Sequence, residues 1–209
     1  MVIAFAGRFN ADFLVAAAKE LVQATGEPGF ASWGMAFCYG NRLETRRSGK
    51  SGAEGFSFSE LSDVKTDMAL LVLNESPEAV MPLVRREKGK DWSWCTQPSL
   101  PSGGEPAAIA ADYARRLLLE LDPEDPVGTT EKVRQTGPGQ SCFFSSVELL
   151  FADLRSPAVT GQEPGAWLGT GQLVSLLSPV PLRQLPNIEW EAVPAQTALV
   201  FTRFRHELP

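Results

Sequence analysis

The sequence predicts an α+β protein in which helices pack on the outside of β-sheets. Extended apolar segments outnumber helical ones, hairpin signals stand near both ends of the chain, and three helical segments are spread between them. Strands and helices do not alternate regularly, which argues against a doubly wound parallel sheet and for mixed sheets. The length of 209 residues suits a single domain over residues 1–209, because a domain of this size buries a sufficient core without disulfides or metals.

Strands are predicted where short apolar or aromatic runs end at glycine, proline or polar residues. Two hairpins are predicted, one around Gly40–Asn41, which tolerate the positive φ of a tight turn, and one around Val147–Glu148. The predicted extended segments are residues 2–6, 33–39, 42–46, 68–73, 92–94, the hairpin 142–154, 173–177, 190–193 and 197–204.

Helices are predicted from capping residues and from apolar residues at helical spacing. The first helix follows the opening strand, with Asn10 or Asp12 as its cap and Gly26 at its end. The second begins at Ser76–Pro77, because serine caps a helix well and proline fits its first turn. The third, residues 107–121, has the clearest apolar face.

Charge narrows the classes of function. The formal net charge of −6 argues against non-specific binding to nucleic acid or to an anionic membrane. The densest basic cluster, residues 85–90, is interrupted by Glu87, and it predicts a solvated helix end, with a phosphate-binding patch as the alternative. Residues 122–139, rich in proline, glycine and charge, predict an extended surface loop.

The apolar runs, the cysteines and the single histidine argue against a membrane protein, a disulfide-bonded secreted protein and a zinc protein. No window reaches the roughly 18 apolar residues that a membrane span requires, and the opening residues lack the features of a secretory signal, so a cytoplasmic location is expected. Cys38, Cys95 and Cys142 are far apart and odd in number, which favours reduced, buried thiols. With His206 as the single histidine, no zinc-ligand spacing exists, and neither a metal nor a cofactor is expected.

Five segments, taken in order, resemble one protein family over nearly the whole chain. They are Ser32–Phe37 with the following hairpin and Arg46–Arg47, Met68–Ser76, Trp92–Pro98, Phe143–Leu154, and the pair Leu176–Leu182 and Trp190–Pro194. Together they resemble the glutaminase domain of class II glutamine amidotransferases, especially the small stand-alone bacterial kind. The resemblance implies the four-layer αββα sandwich of N-terminal-nucleophile hydrolases, with two mostly antiparallel sheets flanked by helices.

The same resemblance implies that the catalytic residues of the family are substituted. Val2 stands where the family has its nucleophilic cysteine, and an isopropyl group cannot attack a carbonyl. Gln97 and Pro98 stand at the oxyanion hole, where proline has no N–H to donate. Asn74 stands at the arginine that clamps the substrate carboxylate, and a neutral amide cannot replace a bidentate guanidinium. Trp33 and Gly34 match the family's Gly-Trp-Gly strand.

These substitutions predict a protein with no catalytic residues that keeps the sandwich as a binding or interaction module. Its partner would be an unknown small molecule or a protein, with a homodimer as one form of such an interaction. The alternative is an active amidotransferase or amidohydrolase with a non-standard nucleophile, for which Cys95 is the candidate. A further alternative is that the resemblance is accidental and the chain is an unrelated α+β domain.

The first hypothesis also makes a geometric prediction. If the alignment is right, Val2 points into a cleft bounded by Trp33, Asn74 and Gln97, so that these four residues converge.

Overall fold

A computed structural model describes residues 1–25, 30, 32–47, 61–74, 82–87, 89–97, 105–120, 122, 124–133, 140–155 and 164–202. These residues form twelve strands and three helices. In chain order they are β1 (Val2–Gly7), α1 (Ala11–Thr25), β2 (Ser32–Tyr39), β3 (Arg42–Arg47), β4 (Met68–Asn74), β5 (Leu83–Glu87), β6 (Lys90–Gln97), α2 (Glu105–Glu120), α3 (Pro126–Val133), β7 (Ser141–Ser145), β8 (Leu149–Asp153), β9 (Ala166–Thr170), β10 (Val174–Ser178), β11 (Glu189–Val193) and β12 (Ala198–Thr202).

The strands form two sheets, as expected for the α+β sandwich. A seven-stranded sheet has the order β11-β9-β10-β1-β4-β2-β3, and a five-stranded sheet has the order β12-β8-β7-β6-β5. All pairings between the described strands are antiparallel, so the expectation of mixed sheets is wrong. Hairpin-connected strands pair without a crossover helix, which explains why the sequence shows so few helices.

β1 lies in the middle of the larger sheet and is covered on both faces. All six of its residues are buried, as are all seven of β4 beside it. On one face Ile3 and Phe5 pack against Leu14 and Leu21 of α1. On the other face Val2 and Ala4 belong to the core shared with the smaller sheet. Because both faces of these strands are covered, their sequences are continuously apolar. In a strand with one exposed face, apolar and polar residues would alternate.

The turn from β1 into α1 depends on two residues. Gly7 has φ +117°, and a Cβ at this position would lie 2.2 Å from the carbonyl oxygen of Leu173, so only glycine fits. Asn10 then caps α1, since its Oδ1 accepts a hydrogen bond of 2.9 Å from the Phe13 N–H. Of the two caps proposed from the sequence, Asn10 is the one the structure uses.

Both predicted hairpins are confirmed. β2 and β3 pair from Gly34↔Arg47 to Tyr39↔Arg42, and Gly40 in the turn has φ +59°. β7 and β8 form the second hairpin. Its turn is closed by Ser146, whose Oγ accepts hydrogen bonds from the N–H groups of Glu148 and Leu149. The third helix is confirmed as α2, on which Tyr113 and Leu117 are buried.

Three segments differ from the sequence prediction. Arg85 and Arg86 lie on the edge strand β5 and not at a helix end. Both are exposed, because an edge strand has no neighbouring strand on its outer side and charged residues are tolerated there. Residues 126–133, predicted as loop, form α3, whose proline occupies the first helical position and whose Gly128 N–H bonds to Asp125 Oδ1. β9 was not predicted at all. The helix predicted at Ser76–Pro77 lies outside the described residues.

A buried charged cluster ties α2 to the smaller sheet. Asp153 on β8 is fully buried, and its Oδ2 accepts hydrogen bonds from Tyr113 Oη at 2.6 Å and from Arg155 Nε at 2.7 Å. Arg155 also donates to Tyr113 Oη at 3.1 Å and lies over the tyrosine ring. Burial and the neighbouring carboxylate raise the pKa of the Tyr113 hydroxyl, so tyrosine remains the donor.

This cluster gives a stability prediction. Asp153→Ala is expected to lower the free energy of unfolding by about 3–5 kcal/mol, because it leaves the Arg155 guanidinium buried without its counter-charge. Tyr113→Phe, which removes one hydrogen bond, is expected to cost about 1 kcal/mol. Urea unfolding measures both changes.

Asp112→Ala is the matched control for this experiment. It removes surface ion pairs to Arg115 and Arg116 on the same helix, and it is expected to leave the unfolding midpoint unchanged. If Asp153→Ala and Asp112→Ala lowered the free energy of unfolding equally, Asp153 would not stabilise the packing of α2 on the smaller sheet, and the prediction would be contradicted.

Candidate functional site

Four strands of the sandwich end at one rim, and polar side chains collect there. β1 begins at Val2, β2 begins at Ser32, β4 ends at Asn74 and β6 ends at Gln97. The pairing of β1, β2 and β4 places these ends next to one another within the larger sheet. β6 brings Gln97 across from the smaller sheet, so this rim is where the two sheets meet.

Val2 lies inside the sandwich with its backbone bonded across it. Its side chain is 1% exposed and belongs to the core that also contains Trp94 and Cys95 of β6. The Val2 N–H donates a hydrogen bond of 3.1 Å to Gln97 Oε1, and this bond joins β1 to the other sheet. Met1 continues the pairing with β4, donating to the Leu73 carbonyl at 2.5 Å and accepting from the Leu73 N–H at 2.7 Å.

Asn74 is buried on the same face as Val2. Its Cα partner is Ser32, and it lies two residues beyond Val72, the partner of Val2. Since alternate residues of a strand share a face, Asn74 and Val72 both face the smaller sheet. The Asn74 side chain is 2% exposed, and its Nδ2 donates to Ser32 Oγ at 3.3 Å. Its Oδ1 has no hydrogen-bond partner among the described residues.

Trp33 does not belong to this cluster, so the prediction that it bounds the same cleft is wrong. Its side chain packs in the core between the larger sheet and α1, together with Leu73 and Met35. The reason is strand alternation, because Ser32 and Gly34 face the smaller sheet and the residue between them must face the helix. Gly34 lies opposite Val72 and brings no side chain to the rim. Pro98 lies outside the described residues.

The three cysteines are buried, as predicted. Cys95 lies two residues before Gln97 on β6, so both side chains are on the same face of the strand. Burial raises the pKa of the Cys95 thiol to about 12, although the positive charge of the Met1 amine acts to lower it. Burial and the Asp153 carboxylate raise the pKa of Cys142. Cys38 donates a hydrogen bond of 3.2 Å to the Ser146 carbonyl. None of these surroundings favours the reactive thiolate.

A cavity lies at the opposite end of β1. It has a volume of about 470 Å³ and is formed where β1 passes into α1 and where the chain enters β4. Its charged residues carry both signs, with Arg8 and Lys65 against Asp12, Asp63 and Asp67. Asp63 is engaged by Arg46, whose guanidinium hydrogen-bonds to it and lowers its pKa. The sequence pattern gave no signal for this cavity beyond the cap of α1.

Within the described part of the chain, no group of three or more His, Cys, Asp or Glu side chains is placed to hold a metal ion. The helices in these residues are too short or too polar to cross a bilayer.

Comparison with known proteins identifies the fold. No family model and no curated protein matches the sequence. Solved structures do match, across 96% of this chain. Glutamine phosphoribosylpyrophosphate amidotransferase from Bacillus subtilis matches with a TM-score of 0.61 and 13% sequence identity, over 47% of its own length. An allosteric regulatory enzyme of purine biosynthesis matches with a TM-score of 0.69 and 14% sequence identity, over 46% of its own length. A predicted glutamine amidotransferase from Pseudomonas aeruginosa has a TM-score of 0.55 at 13% identity over 92%.

The fold is that of the class II glutamine amidotransferases. At these identities the amidotransferase likeness concerns the fold alone. The chain spans about half the length of the first two proteins and nearly the whole of the third. It therefore corresponds in extent to one amidotransferase-type sandwich.

The burial of the thiols gives a second prediction. Because burial raises the pKa of Cys95 to about 12, we expect native protein treated with iodoacetamide to remain unlabelled at this residue while unfolded protein is labelled quickly. Intact mass and peptide mapping, with and without urea, measure the labelling. Native labelling of Cys95 faster than that of unfolded protein would show an activated thiol and contradict this assignment.

Proposed function

We propose that this chain is a class II glutamine amidotransferase-like protein that does not hydrolyse glutamine and serves as a binding or interaction module. The observation that carries the proposal is the position of Val2, which begins β1 in the core between the two sheets. An alkyl side chain at the start of this strand has no lone pair or acidic proton for covalent catalysis.

The surroundings of Val2 support the same conclusion. A tetrahedral intermediate needs donors directed at its oxyanion, and removing one such donor costs typically about 2.7–4 kcal/mol. Here the Gln97 carbonyl oxygen accepts from the Val2 N–H, so this oxygen holds the two sheets together. Asn74, at the position that the resemblance gives to the carboxylate clamp, has a neutral amide held by Ser32.

A second candidate function has one observation in its favour. Cys95 lies on the same face of β6 as Gln97, and its thiol feels the charge of the Met1 amine. This placement would suit a relocated nucleophile in an active amidohydrolase. The thiol is nevertheless fully buried with a raised pKa, and a catalytic cysteine requires the opposite.

Ammonia release from glutamine tests the proposed function. Purified protein is incubated with L-glutamine and, separately, with L-asparagine and simple primary amides, and ammonia is measured with a coupled assay. The expected result is release no faster than in a buffer blank. A chloroketone analogue of glutamine, followed by intact mass, is expected to leave no adduct on folded protein.

Cys95→Ala provides the matched control. Under the proposal the variant, like the parent chain, releases no ammonia above the blank and gains no mass on treatment with the analogue. Turnover that disappears in Cys95→Ala would establish the second candidate function in place of the first.

A further inference from the structure

The two sheets formed by the described residues have four edge strands, and one of these lacks the residues that usually protect an edge. β3 and β11 end the larger sheet, and β5 and β12 end the smaller one. An edge strand exposes backbone N–H and C=O groups, and proteins commonly place charged residues or proline there to prevent pairing with another chain. β3, β5 and β11 each contain at least two charged residues, whereas β12, with the sequence Ala-Leu-Val-Phe-Thr, contains neither a charged residue nor a proline. β12 is therefore the least protected of the four edges.

The hydrogen bonds at the start of β12 show which of its backbone groups face outward. Just before the strand, the Leu154 N–H donates to the Thr197 carbonyl at 2.8 Å, and the register of β12 with β8 places these two residues opposite each other. In an antiparallel pair, residues whose backbone groups face the partner strand alternate with residues whose groups face away from it. The residues that direct their N–H and C=O groups away from β8 are therefore Ala198, Val200 and Thr202.

The outer side of β12 offers apolar surface together with these backbone groups. Within the described part of the chain, no strand pairs with β12 on that side. The four apolar side chains of the strand are only half-buried against the core of the two sheets. A strand added at this edge would pair the outward backbone groups and cover apolar surface at the same time.

The geometry of the edge suits a second copy of the same strand. Two antiparallel copies related by a two-fold axis at Val200 would pair this residue with the partner's Val200, and would pair Ala198 with the partner's Thr202 in both directions. All outward groups of both strands then find a partner, which gives roughly six backbone hydrogen bonds. No charge on β12 opposes the approach. An isologous contact of this kind closes at two copies.

We propose that β12 is a homodimer interface at which two copies of the chain join their five-stranded sheets, edge to edge, into one antiparallel sheet. The proposal gives the interaction module a partner, a second copy of itself, and it does not depend on the loss of glutaminase activity. A peptide from another protein and residues 203–209 of the same chain are the other occupants that such an edge could take. Either of these would leave the purified chain monomeric.

Sedimentation equilibrium of the purified full chain tests for the dimer, and a reversible equilibrium between monomer and dimer is expected. Thr202→Pro removes one outward N–H and leaves the bonds to β8 in place, because proline is tolerated on an edge strand where the N–H faces solvent. The two-fold axis makes this loss occur twice, so the dissociation constant is expected to rise about tenfold.

Thr202→Ala is the matched control, because it shortens the same exposed side chain and keeps the N–H. Its dissociation constant is expected to equal that of the parent chain, and circular dichroism reports whether both variants are folded. A chain that stays monomeric at every concentration overturns the proposal. A dimer with the same dissociation constant in Thr202→Pro and Thr202→Ala overturns it too.

A cysteine at the two-fold axis tests the register. In Val200→Cys the paired Cα atoms of two copies would lie roughly 5.5 Å apart, which a disulfide can span. The three native cysteines are buried, so mild oxidation is expected to link two copies through the new residue. Val84→Cys, at a position 47% exposed on the edge strand β5, is the control and is expected to stay unlinked. Equal cross-linking of the two variants, or none in either, overturns the proposal.

The ammonia assay separates this proposal from the proposed function. A dimer that releases ammonia from glutamine would refute the proposed function and leave the interface intact. A monomer that releases none would refute the interface alone.

Discussion

The burial of β1 on both faces is the constraint on which this structure depends. β1 lies between β10 and β4 in the larger sheet, with α1 on one side and the smaller sheet on the other. Every side chain on it must therefore fit a closed environment, and its six residues are accordingly apolar or glycine. Burial of apolar surface on both sides supplies the free energy that holds the sheets face to face. It also decides what can stand at the beginning of the strand.

The strand's alternation distributes the residues of the rim. Val2, Asn74 and Gln97 point between the sheets, whereas Trp33 is directed to the helical layer because its neighbours on β2 face inward. The one hydrogen bond from the Val2 N–H to Gln97 crosses from sheet to sheet. This rim carries the alkyl side chain of Val2, the Gln97 amide whose oxygen joins the two sheets, and the Asn74 amide whose oxygen has no hydrogen-bond partner among the described residues. We interpret this as a scaffold retained for binding.

Much of the fold could be predicted from the sequence, because its strong signals are local. Apolar runs marked β1 and β4, and Gly40–Asn41 marked the first hairpin. The sequence did not predict β5, because an edge strand can be polar where it faces solvent. It did not predict α3 either, because the proline and glycine in this segment are typical of loops, although proline also fits the first turn of a helix. The resemblance alone indicated Val2, Asn74 and Gln97 as residues of the site. That Trp33 faces α1 and not the smaller sheet could be seen only from the register of β2 with β4. The open acceptor of Asn74 depends on three-dimensional burial, which no sequence pattern encodes.

The central proposal is that Val2, a buried core residue, stands where the amidotransferases that this chain resembles have a reactive one. Its most direct test is the free energy of unfolding of Val2→Thr, which keeps the shape of the side chain and replaces one methyl group with a hydroxyl. Val84→Thr, at a position 47% exposed on the edge strand β5, is the matched control. The account predicts a loss of about 1–3 kcal/mol for Val2→Thr, because the hydroxyl is buried without a designed partner, and little change for the control. Equal stability of Val2→Thr and the parent chain would mean that Val2 lines an open, polar cleft and would contradict the account.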